Sequence, residues 1–315
     1  MFLIFKNFLL RKMNIAYLSN KNIDKQKWDR CIDMASNGLI YAYSFYLDAM
    51  SKHWDALILN DYEIVMPLTW NKKYTIHYLY QPFFCAQLGI FGNDITAEVV
   101  KAFLEAIPSK FKYWDFYLNK NNLFSVDNFP MYERSNYILP LNNSYEQLTA
   151  NFAQSHLRNI KRAQQHGNVV KKNIPVAEVI SLAKEQTKTF SPITAIDYSN
   201  FSKLFEILFK KNMANAYGVY SSQNQLTASC VYTFSHKRAY YILVGNHPNG
   251  RTSGASHLLI NHFIDEHAGE NLLLDFEGSD IKNLAWFYRS FGSSLEKYPG
   301  IKLNKLPPLV KLFKQ

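Results

Sequence analysis

Three carboxylates stand within six residues in Asp275-Phe276-Glu277-Gly278-Ser279-Asp280, and a phenol, Tyr288, follows on the next segment. The apolar run LLLDF reads as a short buried strand, and strand alternation then puts Asp275 and Glu277 on one face. Acids at the end of a buried strand are costly unless solvated, paired or engaged in chemistry. A carboxylate whose pKa is raised by burial can take a proton from an attacking amine. Asp275 and Glu277 are both candidates for that base, and pairing within the fold is the alternative for each. Asp280 reads as the N-cap of the following helix, with Ser279 as the other cap candidate. Tyr288, four residues before Gly292, is placed to protonate a departing thiolate or hydroxyl; a tyrosine that only packs is the alternative.

A second stretch offers an anion site. AYYILVGN reads as a strand ending at Val244, Gly245 and Asn246, and GRTSGASHLLI follows it. A helix is expected from Ser256 to about Ala268, so the N–H groups of Gly254, Ala255 and Ser256 would face an anion, with Arg251 adding a charged contact. The strand before it can hold an extended acyl or aminoacyl arm by main-chain hydrogen bonds. Ser256 is also a candidate N-cap. Upstream, SYEQLTANFAQSHLRNIKRAQQHG reads as one helix from a capping box at Ser144 and Gln147 to Gly167. It carries Arg158, Lys161 and Arg162 with no acid from His156 to Lys172: an anion-binding surface, or a solvated basic face.

The whole chain has 35 Lys and Arg against 25 Asp and Glu, a net charge of +10 that suits a nucleotide, a tRNA or a membrane surface as partner. A hydrophobic share of 48% with 16% aromatic residues supports real cores and excludes a disordered chain. Cys31, Cys85 and Cys230 are odd in number and far apart, which fits buried thiols in a reducing compartment. His257, His262 and His267 are spaced by five and do not share a helix face, so no metal is expected. Nothing approaches the roughly 20 apolar residues of a membrane span. MFLIFKNFLLRK lacks a signal-peptide pattern and reads as a disordered terminus or as the product of an upstream start codon; a peripheral membrane contact is the minor alternative. A cytoplasmic protein is expected.

These groups need elements to hold them. In the C-terminal half, a helix over Ser199–Met213 precedes three strands, AYGVYS, LTASCVYTFS and AYYILVGN. The loop and helix already described come next, then the strand LLLDF, the helix NLAWFYRSFG and a closing strand, SLEKYPGIKLN. The N-terminal half shows the same order: DALILND, YEIVMPLTW and YTIHYLYQPF as strands, CAQLGIFGND as a loop, TAEVVKAFLEAI as a helix, then KYWDFYLNK and a closing YERSNYILPL. The joint lies near LPLNNSYEQL, giving domains 1–143 and 144–315, the second holding the donor and the chemistry. Each domain is α+β, a mixed, mostly antiparallel sheet flanked by helices.

With RTSGAS before a helix and FYRSFG after DFEGSD, the order of elements resembles the GNAT acyltransferase superfamily. SHLRNIKRAQQHG, the YYILVGN–GRTSGASHLLI–LLLDFEGSD run, FYRSFG followed by LPPL, and QPFFCAQLGIF are more closely similar to Fem-type (FemAB-like) proteins, from roughly Ile15 to Pro308. That resemblance implies two tandem GNAT-like domains and transfer of an amino acid from aminoacyl-tRNA to a peptidoglycan precursor. More broadly, it implies movement of an acyl group from acyl-coenzyme A or aminoacyl-tRNA to an amine on a small molecule. The chain departs from the GNAT phosphate loop, Arg/Gln-x-x-Gly-x-Gly/Ala, in having Ser256 at the last position. The first domain's loop has no basic residue, so that copy binds acceptor or is structural. No insertion suits a long helical arm. The alternative is a catalytically degenerate pair that grips RNA or a precursor.

Overall fold

A computed structural model describes residues 13–188, 192–278 and 280–306. The chain divides into two compact units: residues 1–133 with 298–315, and residues 134–297.

The first unit opens with β1 (Ile15–Leu18), α1 (Lys25–Met34) and α2 (Ser44–Met50). Asp24 caps α1 by accepting from the N–H groups of Gln26 and Lys27, and Trp28 and Ile32, one turn apart, are its buried face. Then come β2 (His53–Leu59), β3 (Ile64–Lys73), β4 (Ile76–Tyr80), the two-residue β5 (Phe91–Gly92), α3 (Ala97–Ala106) and β6 (Phe111–Tyr117). Strands β1 to β4 are antiparallel neighbours, and β6 runs parallel to β4. Thr96 caps α3 on Val99 N–H, and Val99, Val100, Phe103 and Leu104 point into the core. There they meet Leu57, Met66, Leu68, Leu79, Trp114 and Phe116, alternate residues of the strands.

The next strand, β7 (Met131–Pro140), leaves this unit: residues from Arg134 onward belong to the second. After it come α4 (Tyr145–Thr149), α5 (Gln154–Gln165), β8 (Val169–Lys172), α6 (Val176–Thr187), α7 (Ala195–Lys210), β9 (Ala214–Tyr220), β10 (Leu226–Ser235) and β11 (Arg238–Asn246). The unit continues with α8 (Pro248–Ser253), α9 (Ala255–Glu266), β12 (Leu273–Asp275) and α10 (Lys282–Arg289), and β13 (Ser294–Asn304) closes the chain. Strands β8 to β11 are antiparallel, β12 runs parallel to β11, and β7 lies antiparallel to β12. Ala228, Cys230 and Tyr232 alternate toward a core with Leu258, Leu259 and Phe263 of α9. Burial of each large side chain of this kind stabilises by about 1.5–3 kcal/mol.

The repeated order is therefore present: three antiparallel strands, a helix, a parallel strand, and an antiparallel closing strand. The closing strands are exchanged. Residues 134–140 of β7 complete the second unit, and residues 298–304 of β13 complete the first, pairing with β6. The sequence pattern predicts the joint at 143/144. The capping box at Ser144 and Gln147 forms, but the expected single helix to Gly167 breaks into α4 and α5 at Ala150–Ala153. Ala153 N–H there donates to Ser290 O, a tertiary bond that outcompetes continuation of the helix. Residues 1–12, Ser279 and the proline pair in LPPL lie outside the described residues.

Candidate active site

In the second unit, β11 and β12 pair only from Arg238 opposite Leu273 to Tyr240 opposite Asp275. Strand β12 stops there, while β11 runs on to Asn246. Two parallel strands thus diverge, and the candidate residues sit where they part.

Asp275 and Glu277 do not act as a pair on one face. Asp275 is buried and bonded at 2.6 Å to Arg238, whose guanidinium also bridges to Glu296 at 3.2 Å. Its other oxygen accepts Glu277 N–H at 2.8 Å. Glu277 takes φ +64°, a left-handed turn that ends the strand's alternation. Its Oε1 is shut away from solvent and has no hydrogen-bond partner among the described residues. Burial pushes its carboxyl well above the usual carboxylate range. The Tyr288 hydroxyl is raised too, by burial first and then by the Glu277 charge, so it stays protonated. Tyr288 stacks on Phe276 with ring centroids 4.7 Å apart and meets Tyr241 edge-on at 6.4 Å. One desolvated acid and one phenol thus lie close enough to influence each other, with Phe276 and Tyr241 packed on the phenol.

Asp280 is not the cap of α10. That position is Ile281, with no side-chain cap bond, and Asp280 instead accepts Ser135 N–H at 2.9 Å and pairs with Arg134 at 2.9 Å. A charged partner outweighs a cap here.

The phosphate-loop stretch differs most from expectation. Residues 248–253 form α8, and only Gly254, at φ +83°, separates it from α9. Gly250 and Arg251 N–H groups donate to His247 O, and Gly254 N–H donates to Gly250 O, so three of the loop's donors serve the helix. A Cβ on Gly250 would lie 2.1 Å from Thr227 O, and one on Gly254 would lie 2.5 Å from Asn159 O. The glycines let backbones touch. Ser256 is not a cap: α9 starts at Ala255 with Gly254 in the cap position, and Ser256 Oγ bonds the Asn246 side chain. Asn246 N–H is taken by Gln186 Oε1 at 2.6 Å. Gly245 lies under α6, where a Cβ would be 2.8 Å from Ala183 N. Arg251 is exposed at the end of α8.

Arg158, Lys161 and Arg162 are all exposed on α5, which packs on both α8 and α9. Arg162 donates to Asn159 Oδ1 at 2.7 Å, and Asn159 in turn meets His257 Nε2 at 3.0 Å. The basic face therefore borders the loop stretch, as a surface and not as a pocket.

Three features had no signal in the sequence. Leu243 takes φ +52° inside β11, where the register with β10 slips between Ser229 and Val231. A β-branch-free but bulky residue in that conformation marks strain, and bulges beside sites re-aim the strand. Helix α6 supplies Gln186. The ring centroids of His156 and His257 lie 4.5 Å apart beneath α10, and each has an Nδ1 without a partner among the described residues. Burial lowers both, His257 to about 3. Among the described residues there is no cluster of three or more His, Cys, Asp or Glu able to hold a metal, and no helix long and apolar enough to cross a membrane.

No protein-family profile matches the sequence, and no curated protein matches it. Solved structures do. FemX superposes with a TM-score of 0.66 at 14% identity, over 96% of this chain and all of its own. L-PGS from Bacillus licheniformis gives 0.55 at 12%, over 92% of this chain and 95% of its own. The C-terminal domain ascribed to a lysylphosphatidylglycerol synthetase of Agrobacterium fabrum gives 0.55 at 11%, over 92% and 94%. At such identities the likeness is one of fold. The chain has the fold of FemX, built here as two α+β units.

Proposed function

We propose that this protein is an acyl or aminoacyl transferase that forms an amide on an amine acceptor, with its chemistry in the second unit. The observation that carries the reading is Glu277: a carboxyl with an unpartnered, desolvated oxygen, beside the Tyr288 hydroxyl, where β11 and β12 part. The likeness to FemX and L-PGS supports the fold in which such transfer is expected.

The amine nitrogen attacks the donor's ester or thioester carbonyl, an N–C bond forms, and the C–O or C–S bond breaks. Glu277 takes the amine's proton, and a carboxyl held high by burial is matched to that task. Tyr288 gives its proton to the departing alkoxide or thiolate. Asp275 is a positioning residue: neutralised by Arg238, it fixes the Glu277 backbone. The unpaired edge of β11 near Val244 and Gly245 lies alongside the donor arm, so much of the rate comes from placement.

Between the two donors, the geometry favours aminoacyl-tRNA. Of the three N–H groups that coenzyme A phosphates would need, Gly254's is already used by α8, whereas Arg158, Lys161, Arg162 and Arg251 offer exposed charge to an RNA backbone. A peptidoglycan-type precursor is the acceptor class that the Fem-type resemblance suggests. Coenzyme A esters and charged tRNAs are cytoplasmic, so the reaction belongs in the cytoplasm.

The same helical loop favours a second reading, an RNA- or precursor-binding pair without chemistry. Incubation with charged tRNA or acetyl-coenzyme A and a panel of amines, read by mass spectrometry, separates the two. Amide formed from charged tRNA and lost in Glu277→Gln supports the transferase. Salt-sensitive RNA binding with no amide from either donor supports the binding pair.

A further inference from the structure

In the first unit, the parallel pair β4 and β6 sets Tyr78 opposite Tyr113 and Tyr80 opposite Asp115. Alternation sends Leu79, Trp114 and Phe116 into the core and leaves the tyrosines, Asp115 and Tyr117 on the other face. With Gln81 they line a shallow cleft of about 340 Å³. Tyr78 and Tyr80 meet edge-on with ring centroids 6.1 Å apart. The Asp115 carboxylate is half-buried and accepts from the Tyr113 hydroxyl at 3.1 Å. It has no ion-pair partner among the described residues. Lys302, its cross-strand neighbour on β13, is exposed and does not pair with it.

The chemistry of this face selects its ligand by charge. A half-buried carboxylate in a cleft lined by four tyrosines repels phosphates and other anions. A neutral sugar would stack on the rings and donate hydroxyl hydrogen bonds to the carboxylate but leave its charge unneutralised. A cation satisfies both, through Coulomb attraction to Asp115 and through the ring quadrupoles. The partner must also carry apolar substituents to fill an aromatic cleft, which a bare metal ion does not.

We propose that this cleft binds an organic ammonium group, held by the Asp115 carboxylate and the faces of Tyr78, Tyr80, Tyr113 and Tyr117. The site lies wholly in the first unit and goes beyond the transferase reading. Binding there needs neither donor nor turnover, so its failure and that of the transferase are separately visible.

Titration of the full chain with choline, followed calorimetrically, tests it against 3,3-dimethylbutan-1-ol, the uncharged carbon isostere, and against methyl glucoside. Choline should bind saturably, and the isostere about tenfold or more weaker, as a desolvated cation–π site requires. Asp115→Asn should lower choline affinity by a similar factor. Lys302→Glu, an exposed change that leaves the core untouched, should raise it and keeps the test decisive if Asp115→Asn does not fold. Equal binding of the isostere, preference for the glucoside, no saturable choline binding, or indifference to both substitutions would overturn the proposal.

Discussion

The two units repeat one pattern and use its key point in opposite ways. In each, a parallel strand pair ends and the chain enters a loop. In the first unit, Gln81 Oε1 accepts Tyr117 N–H at 2.9 Å and ties the strand ends together. Asn119 Nδ2 donates to Leu88 O and Ile90 O at 3.1 and 2.9 Å, and Asn122 Oδ1 accepts Ile90 N–H at 2.8 Å. Every buried amide named there has a partner, and the loop that lacks a basic residue is held by side-chain amides. In the second unit, the same junction holds a bulged strand, a left-handed Leu243 and a carboxyl oxygen with no partner among the described residues. Buried polar groups are almost always satisfied. The transferase reading rests on that difference between the two copies of the junction.

The contrast can be broken at either end. The largest effect belongs to Glu277→Gln, which should slow amide formation by about 10²–10⁴, the usual worth of a general base. Its thermal transition should not fall, because a neutral amide replaces a desolvated acid; loss of folding would remove Glu277 from the chemistry and make it structural. Next comes Arg238→Met. It strands Asp275 and Glu296 without their cation and should destabilise the protein by about 3–5 kcal/mol, read as a shift in denaturant midpoint. In the first unit, Asn119→Ala should cost about 1–3 kcal/mol by orphaning the carbonyls of Leu88 and Ile90. Transfer per folded molecule should stay at the wild-type rate. A loss of transfer without a loss of stability would erase the difference between the units.

The smallest effect is one of pH. His156 and His257 are both lowered by burial, so between pH 6.5 and about 3 the unfolded chain binds more protons than the folded one. Stability contributed by the neutral rings is therefore full above the unfolded value and lost as the pH falls through that window. His257→Phe should flatten this acid limb in urea titrations at pH 4 to 6.5, and an unchanged limb would show that the pair is not its source.

Much of this architecture was legible in the residues. The segments LTASCVYTFS and SLEKYPGIKLN, read as strands from their β-branched and aromatic content between turn residues, coincide with β10 and β13. The apolar spacing of TAEVVKAFLEAI predicts α3, and Thr96 caps it in the structure. What was not legible depends on distant partners. Nothing in Asp275 announces Arg238, and nothing near Glu277 announces that its backbone turns left-handed, so the two acids read as equals. The stretch GRTSGAS carries loop chemistry, yet Pro248 at the first helical position and the close approach of Gly250 to Thr227 wind it into α8. Leu243 shows the limit most clearly. A strand-forming residue sits in a left-handed bulge because the surrounding sheet requires it.

The central claim, that the second unit holds an unpartnered acid ready to exchange a proton, has a direct measurement that needs no substrate. Infrared difference spectra of the wild type against Glu277→Gln, recorded across a pH titration, isolate the carboxyl band of one residue. A carboxyl free of strong hydrogen bonds that ionises well above the ordinary 4.5 is expected. A band that titrates near 4.5, as an exposed glutamate does, would contradict it.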